Sequence, residues 1–225
     1  MPRHEQAVID VFNAFMHAEA RNRSRNFRHI ALDGQDRHVL ADYILTNEST
    51  FTLVEFKYTL TQLPNEEKKS KVSLLCEGLA RDEGMRARHD LCHFIAWMQL
   101  PARRANLNIY RQEICNCQVL GRDCGLRAES PTATSRLSAV EFARSFFEEP
   151  TARTLSIDEF EVYVEWLCSL GGSSASQLEL LVGDEDSGDC DFIEFGSLRL
   201  LYDWFEGRRR AMRPSPPTPS SGPGW

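Results

Sequence analysis

No apolar run in this 225-residue chain approaches the roughly 20 residues that a helix needs to cross a bilayer, so a membrane-spanning protein is not expected. The opening MPRHEQAVIDVFNAFMHAEARNRSRNF lacks the layout of a secretory signal and reads as an amphipathic helix. A cytoplasmic or nuclear location, not a secreted one, is the expectation. Cysteines are few and lack the paired C-x2-C spacing. The seven, at positions 76, 92, 115, 117, 124, 168 and 190, are odd in number and scattered, so reduced thiols are expected rather than a disulfide framework. A structural zinc would have to draw on His89, Cys92, His93, Cys115, Cys117 and Cys124, whose H-x2-C and C-x-C spacings are not those of a strong zinc motif. Buried thiols and hydrogen-bonded histidines are the plainer expectation. An excess of positive charge is missing too: the net charge is −7, which for the chain as a whole argues against a nucleic-acid partner.

The distribution of charge changes that reading. Residues 1–125 hold 17 Lys and Arg against 16 Asp and Glu, whereas residues 126–225 hold 9 against 17. With 42% hydrophobic and 26% charged residues the chain is long enough for one sizeable core or two smaller ones. The asymmetry favours two parts with different partners.

Helical spacing of Val8, Phe12 and Phe15 predicts an amphipathic helix over 6–20. Strands are predicted at 39–45 and 51–60, a helix near 65–79, and strands at 92–99 and 105–114. A stretch rich in Gly, Ser, Thr and Pro predicts a linker at 126–135. Beyond it SRLSAVEFARSFFEE, SIDEFEVYVEWLCSL, SASQLELLV and DFIEFGSLRLLYDWFEG read as helical, giving a helical domain over 136–211. The tail, 212–225, is Pro, Ser and Gly with little to bury and is expected to be disordered.

Two of the predicted strands carry charge where apolar residues are the norm. In VLADYILTNESTFTLVEFKY, side chains alternate faces, so Leu53, Glu55 and Lys57 share one face and Val54, Phe56 and Tyr58 the other. A four-residue loop at 47–50 pairs Thr46 with Phe51 and Ile44 with Leu53, which brings Asp42 opposite Glu55. Like charges side by side destabilise a sheet unless compensated, and a divalent cation bridging both carboxylates would compensate them. Glu19, four residues after Phe15, extends the apolar stripe of the first helix and is a third candidate ligand.

Asp42 followed by EFK at Glu55–Lys57, with a helix before and a helix and strand after, resembles the PD-(D/E)xK nuclease superfamily over about residues 1–125. The resemblance implies an α/β fold with a restriction-endonuclease-like mixed sheet flanked by helices. It also implies catalytic roles for Asp42, Glu55 and Lys57. Asp42, Glu55 and the Phe56 carbonyl would hold Mg²⁺ or Mn²⁺, and Lys57 would position and deprotonate the attacking water. The proline usual before the first acid is Ala41 here. Arg21, Arg23 and Arg25, with Lys68 and Lys69, are candidate phosphate contacts.

In the acidic half, LSIDEF and CDFIEF end 35 residues apart, and the twelve residues from Gly183 to Glu194 resemble an EF-hand loop with Gly188 sixth and Glu194 last. That resemblance implies Glu185, Ser187, Asp189, Asp191 and Glu194 as possible Ca²⁺ ligands, although Gly183 stands where an aspartate is usual. The earlier loop, 148–159, has Pro150, Ala152 and Arg153 where ligands and the glycine belong. The expectation is a metal-dependent nuclease with a helical EF-hand-like domain that regulates it or binds a protein partner. The alternative is a non-catalytic interaction protein or calcium-responsive adaptor on a nuclease-like scaffold.

Overall fold

The computed structural model describes residues 4–32, 39–126, 135–148, 153–174, 178–184 and 191–211. A first helix, α1 (Glu5–Asn22), leads into three antiparallel strands, β1 (Arg28–Ala31), β2 (Tyr43–Thr46) and β3 (Thr50–Thr59). A 3₁₀ helix, Leu60–Lys68, and two helices, α2 (Val72–Arg81) and α3 (Glu83–Cys92), carry the chain over the sheet to β4 (His93–Gln99), which lies parallel to β3. A parallel neighbour demands such a crossover. Strand β5 (Arg104–Ile109) returns antiparallel, followed by the short helices α4 (Tyr110–Ile114) and α5 (Cys117–Leu120).

The acidic half completes the same sheet. Strand β6 (Leu137–Ser138) pairs with β5, and β7 (Leu155–Ser156) pairs with the start of β3, giving seven strands in a mixed sheet. Ser138 and Glu141 form a capping box at the start of α6 (Ala139–Phe147), and Ser156 caps α7 (Ile157–Ser169). A separate hairpin, β8 (Leu180–Asp184) with β9 (Asp191–Phe195), precedes the last helix, α8 (Leu198–Ala211).

Alternation along β3 sorts side chains onto two faces as the sequence predicted. Ile44, Leu53, Ile95 and Trp97 join a core built with α2, α7 and α8, including Leu75, Phe160, Tyr163 and Phe205. Leu45, Val54, Phe56 and Phe94 join a second core with α1 and α6, including Phe12, Met16, Phe142 and Phe146. Residues on both sides of 126–135 therefore contribute to both cores, and Phe51 stacks on Phe160 with ring centroids 5.4 Å apart. The α/β reading holds at this level.

Several local expectations change. Residues 180–182, the end of SASQLELLV, and DFIEF, the opening of the next stretch, are expected as helix and form strands instead: Leu180 and Val182 alternate into the core while Leu181 faces out. The register pairs Gly183 with Phe192 and Leu181 with Glu194, so the stretch lacks the helix that leads into an EF-hand loop. Asp191 and Glu194 are exposed on β9, while Glu185, Ser187 and Asp189 lie outside the described residues. Strand β5 ends at Ile109, where Asn108 bonds the Ile109 N–H and α4 begins. Finally, Cys76 on α2 and Cys115 after α4 form a disulfide, against the expectation of reduced thiols throughout. Among the described residues no helix is long and apolar enough to cross a membrane.

Candidate functional site

The hairpin register is the one the loop length predicts: Thr46 pairs with Phe51, Ile44 with Leu53 and Tyr43 with Val54. Asp42 sits just outside β2, with its N–H donating to the Val54 carbonyl at 3.0 Å. Its side chain turns inward, and Oδ2 accepts the Phe56 N–H at 2.6 Å. Glu55 projects from β3 into the interior, 1% exposed, beside Lys57 on the same face.

Around Glu55 the charges alternate. Lys57 Nζ pairs with Glu55 Oε1 and lies 3.2 Å from Glu66 Oε1. Lys69 Nζ lies 2.6 Å from Glu55 Oε1 and 3.1 Å from Glu66 Oε2. The Tyr110 hydroxyl donates to Glu66 Oε2 at 2.6 Å, anchoring the ring of charges from α4. Two ammonium groups and two carboxylates thus balance, which is the condition for holding charge out of water. Glu66 comes from the 3₁₀ helix and Lys69 from its end, so the segment after β3 folds back onto the strand's last residues.

Asp42 stands outside that balance and makes no ion pair among the described residues. Burial, then the nearby Glu55 carboxylate, pushes its carboxyl up to about 8 against the pull of Lys57 and the Phe56 N–H. For Glu55 burial acts upward, but Lys69 and Lys57 outweigh it and hold the group below the usual carboxylate range. Lys57 and Lys69 are both raised: burial acts downward on each and is outweighed by Glu55 and Glu66. Lys57 therefore remains an ammonium at neutral pH. It suits donation to an anion, not the removal of a proton from water. The Phe56 carbonyl, the expected third ligand, accepts from Lys57 Nζ at 2.9 Å.

One atom in this network has no partner. Glu55 Oε2 is buried and accepts no hydrogen bond from the described residues. An orphaned carboxylate oxygen costs on the order of 1–3 kcal/mol or more, and the Glu55 charge adds to the burial that raises the Asp42 carboxyl. Asp42 and Glu55 thus offer the hard oxygen donors that suit Mg²⁺ or Mn²⁺, which keep several waters and need one or two carboxylates. No cluster of three metal-binding side chains occurs among the described residues.

The α1 carboxylate expected from the sequence, Glu19, does not lie with Asp42 and Glu55. Glu19 pairs with Arg23 near the helix's C-terminal end, whereas the Glu5 carboxyl feels Lys57, Glu55, Lys69 and Glu66, with burial the main cause of its raised pKa. The two lie about 21 Å apart along the helix. Helical spacing fixes the face a residue occupies, not which end of the helix meets the strand termini. Arg21 and Arg25 are exposed with Arg23 at that same far end, and Lys68 is exposed, bonding Asn65 at 3.2 Å. Lys69 alone of those five joins the site. Glu66 and Tyr110 were missed; a carboxylate one turn before a lysine was the available signal for the first.

His89 and His93, weighed as zinc ligands, have another arrangement. The Arg111 N–H donates to His89 Nε2 at 3.1 Å, so His89 carries its proton on Nδ1 and donates to the Tyr163 hydroxyl at 2.6 Å. Tyr163 in turn donates to His93 Nδ1 at 2.8 Å, and His93 Nε2–H donates to the Leu40 carbonyl at 3.0 Å. Every ring nitrogen is satisfied with both imidazoles neutral, and burial lowers the His93 pKa to about 4. The chain of bonds holds Leu40, at φ 54°, two residues before Asp42. Set against known proteins, the chain matches no family model, no curated protein and no solved structure.

Proposed function

We propose that the protein is a divalent-metal-dependent phosphodiester hydrolase acting on nucleic acid, with a PD-(D/E)xK-type site formed by Asp42, Glu55 and Lys57. The observation that carries this reading is the unpartnered, buried Glu55 Oε2 beside a proton-holding Asp42. The order helix, three antiparallel strands, helical crossover and parallel strand supports it, as does the site's position at the end of parallel strands, where ligands gather in α/β sheets. Asp42 and Glu55 are the residues to hold Mg²⁺ or Mn²⁺, which when bound lowers the pKa of water and stabilises charge on the phosphoryl oxygens.

The chain's own groups supply the rest. Lys57 and Lys69, both fixed as ammonium ions, are placed to bind the non-bridging oxygens of a phosphodiester. Glu66 and Tyr110 hold the two lysines in position when no substrate is present. Before Asp42 can act as a ligand it must release its proton, so cation binding is expected to strengthen as pH rises towards about 8.

The test is cleavage of single- and double-stranded DNA and RNA in Mg²⁺ or Mn²⁺ by the protein, Lys57→Ala and Asp42→Asn. Cleavage that falls at least a hundredfold in both variants is the expected result. Absence of cleavage by the folded protein in every lane would reject the hydrolase and favour the interaction or adaptor reading. In that case Ca²⁺ and protein partners at the acidic half become the next assay, with tryptophan fluorescence as the readout.

A further inference from the structure

On the far side of β3 from Lys57, a slot of about 220 Å³ opens between the first turns of α1 and the ends of β3, β4 and β5. Met98 and Ala105, paired across β4 and β5, contribute to its lining with Val8 and Val11 of α1. Tyr58 and His4 stand together there, ring centroids 5.0 Å apart and tilted by 30°. Arg103 adds a cation to the lining.

The backbone is built to present Tyr58. Lys57 pairs with Trp97 and Thr59 with Met98, so Tyr58 is the extra residue of a bulge in the β3–β4 ladder. Its N–H leaves the ladder and donates to Gln62 Oε1 at 3.0 Å. A bulge re-aims a side chain and is often found beside an active site. Val11 remains 70% exposed on the rim.

Each ring belongs to a residue next to a charge of the site: Tyr58 follows Lys57, and His4 precedes Glu5. Consecutive Cα atoms lie about 3.8 Å apart. Consecutive strand residues face opposite sides of a sheet, so the end of β3 carries the Lys57 ammonium on one side and the Tyr58 ring on the other. A strand that wraps round that end sets a phosphate at Lys57 and a neighbouring nucleotide's base against the aromatic wall, with Arg103 placed for that base's face or the adjoining phosphate. Bases inside a duplex are stacked on their neighbours and reach such a slot only if extruded.

We propose that this slot takes one unpaired nucleobase, making single-stranded nucleic acid the preferred ligand. The inference rests on the reading of the Asp42, Glu55 and Lys57 site as one that acts on nucleic acid. Tyr58 is the stacking platform, Val11 and Met98 the apolar wall, and the bulge the device that turns the platform outward.

The experiment is fluorescence anisotropy with labelled mixed-sequence dodecamers of DNA and of RNA, each single-stranded and annealed to its complement, in EDTA at low salt, alongside cleavage of the same strands in Mg²⁺ or Mn²⁺. The full-length protein is compared with Tyr58→Ala, Tyr58→Phe and Val11→Asp, with circular dichroism to check folding. Single strands are expected to bind more tightly than duplex. Tyr58→Ala and Val11→Asp should each weaken single-strand binding about tenfold while Tyr58→Phe retains it. Unchanged binding in Tyr58→Ala and Val11→Asp, or duplex bound as tightly as single strand, overturns the slot even if cleavage is observed. Slot-dependent binding without cleavage by any form overturns the hydrolase and leaves the slot standing. No binding of any strand overturns both.

Discussion

Asp42 is where this molecule spends stability on its site. Its carboxyl holds a proton in the folded state up to about pH 8, whereas the unfolded chain releases it near 3.8. Between those values the unfolded state has fewer protons to bind, so each step up in pH favours unfolding. Asp42→Asn keeps an oxygen to accept the Phe56 N–H and removes the titration. In EDTA, the variant is expected to match the parent near pH 4 and to exceed it by on the order of 5 kcal/mol at pH 8, measured by urea unfolding across that range. A gap that does not widen with pH would mean that Asp42 titrates as an ordinary carboxylate. The His93 imidazole works the other way. Its folded pKa is depressed to about 4 from 6.5, so the stability that its neutral form contributes is present above pH 6.5 and lost as pH falls towards 4. The two groups therefore press on the fold from opposite sides of the pH scale.

Among elements, α2 and α4 meet through the Cys76–Cys115 disulfide, which spans 39 positions of sequence. A loop of that length is expected to contribute about 4 kcal/mol by restricting the unfolded chain. Because Cys115 directly follows α4, which carries Tyr110 against Glu66, the bond also steadies the ring of charges from below. Cys76→Ser is expected to lower unfolding free energy by about that amount, with equal midpoints for parent and variant once dithiothreitol is added; equal midpoints without reductant would mean the bond is not formed. How much of this level was legible depended on whether the cause was local. Asn47–Thr50 and the alternating strands beside it set their register by loop length and pattern, and that register was read correctly. The helices 139–147 and 157–169 followed from the helical pattern of residues 135–149 and 156–170. The β8–β9 hairpin did not, because the alternation of Leu180 and Val182 is short enough to pass for a helical stripe. The choice between Glu5 and Glu19 depended on how α1 lies over the sheet, and the Glu66–Lys69–Tyr110 arrangement on a tertiary return of the chain. Local spacing hints at the Glu66–Lys69 pair alone and says nothing of Tyr110 or of which end of α1 meets the strands.

At the scale of the whole molecule, the change in charge at the middle of the chain marks no change of core. Strand β7 borrows its ladder from β3, Thr52 Oγ1 donates to the Arg153 carbonyl at 2.6 Å, and Phe160 stacks on Phe51. The last helix reaches back as well: Arg209 donates to the Glu48 carbonyl at 3.1 Å and to Ser49, in the very turn whose length sets the register of Asp42 and Glu55. Removing residues 126–225 would strip Phe160, Tyr163, Leu201 and Phe205 from one core and Phe142 and Phe146 from the other. Each such aromatic, lost to a void, costs about 3–5 kcal/mol, and their combined loss exceeds the 5–15 kcal/mol that holds a typical domain together. Tyr163 also takes with it the hydroxyl that bridges His89 and His93, leaving a buried donor and a buried acceptor unpaired. The fragment 1–125 is therefore expected to show no cooperative thermal transition and poor dispersion of its amide proton resonances, while the full chain unfolds in one transition that near-ultraviolet and far-ultraviolet circular dichroism report at the same temperature. A fragment that folded alone, with its own transition, would instead make the acidic half an appendage. The site would then need to be explained by the first 125 residues without the turn contacts that Arg209 supplies.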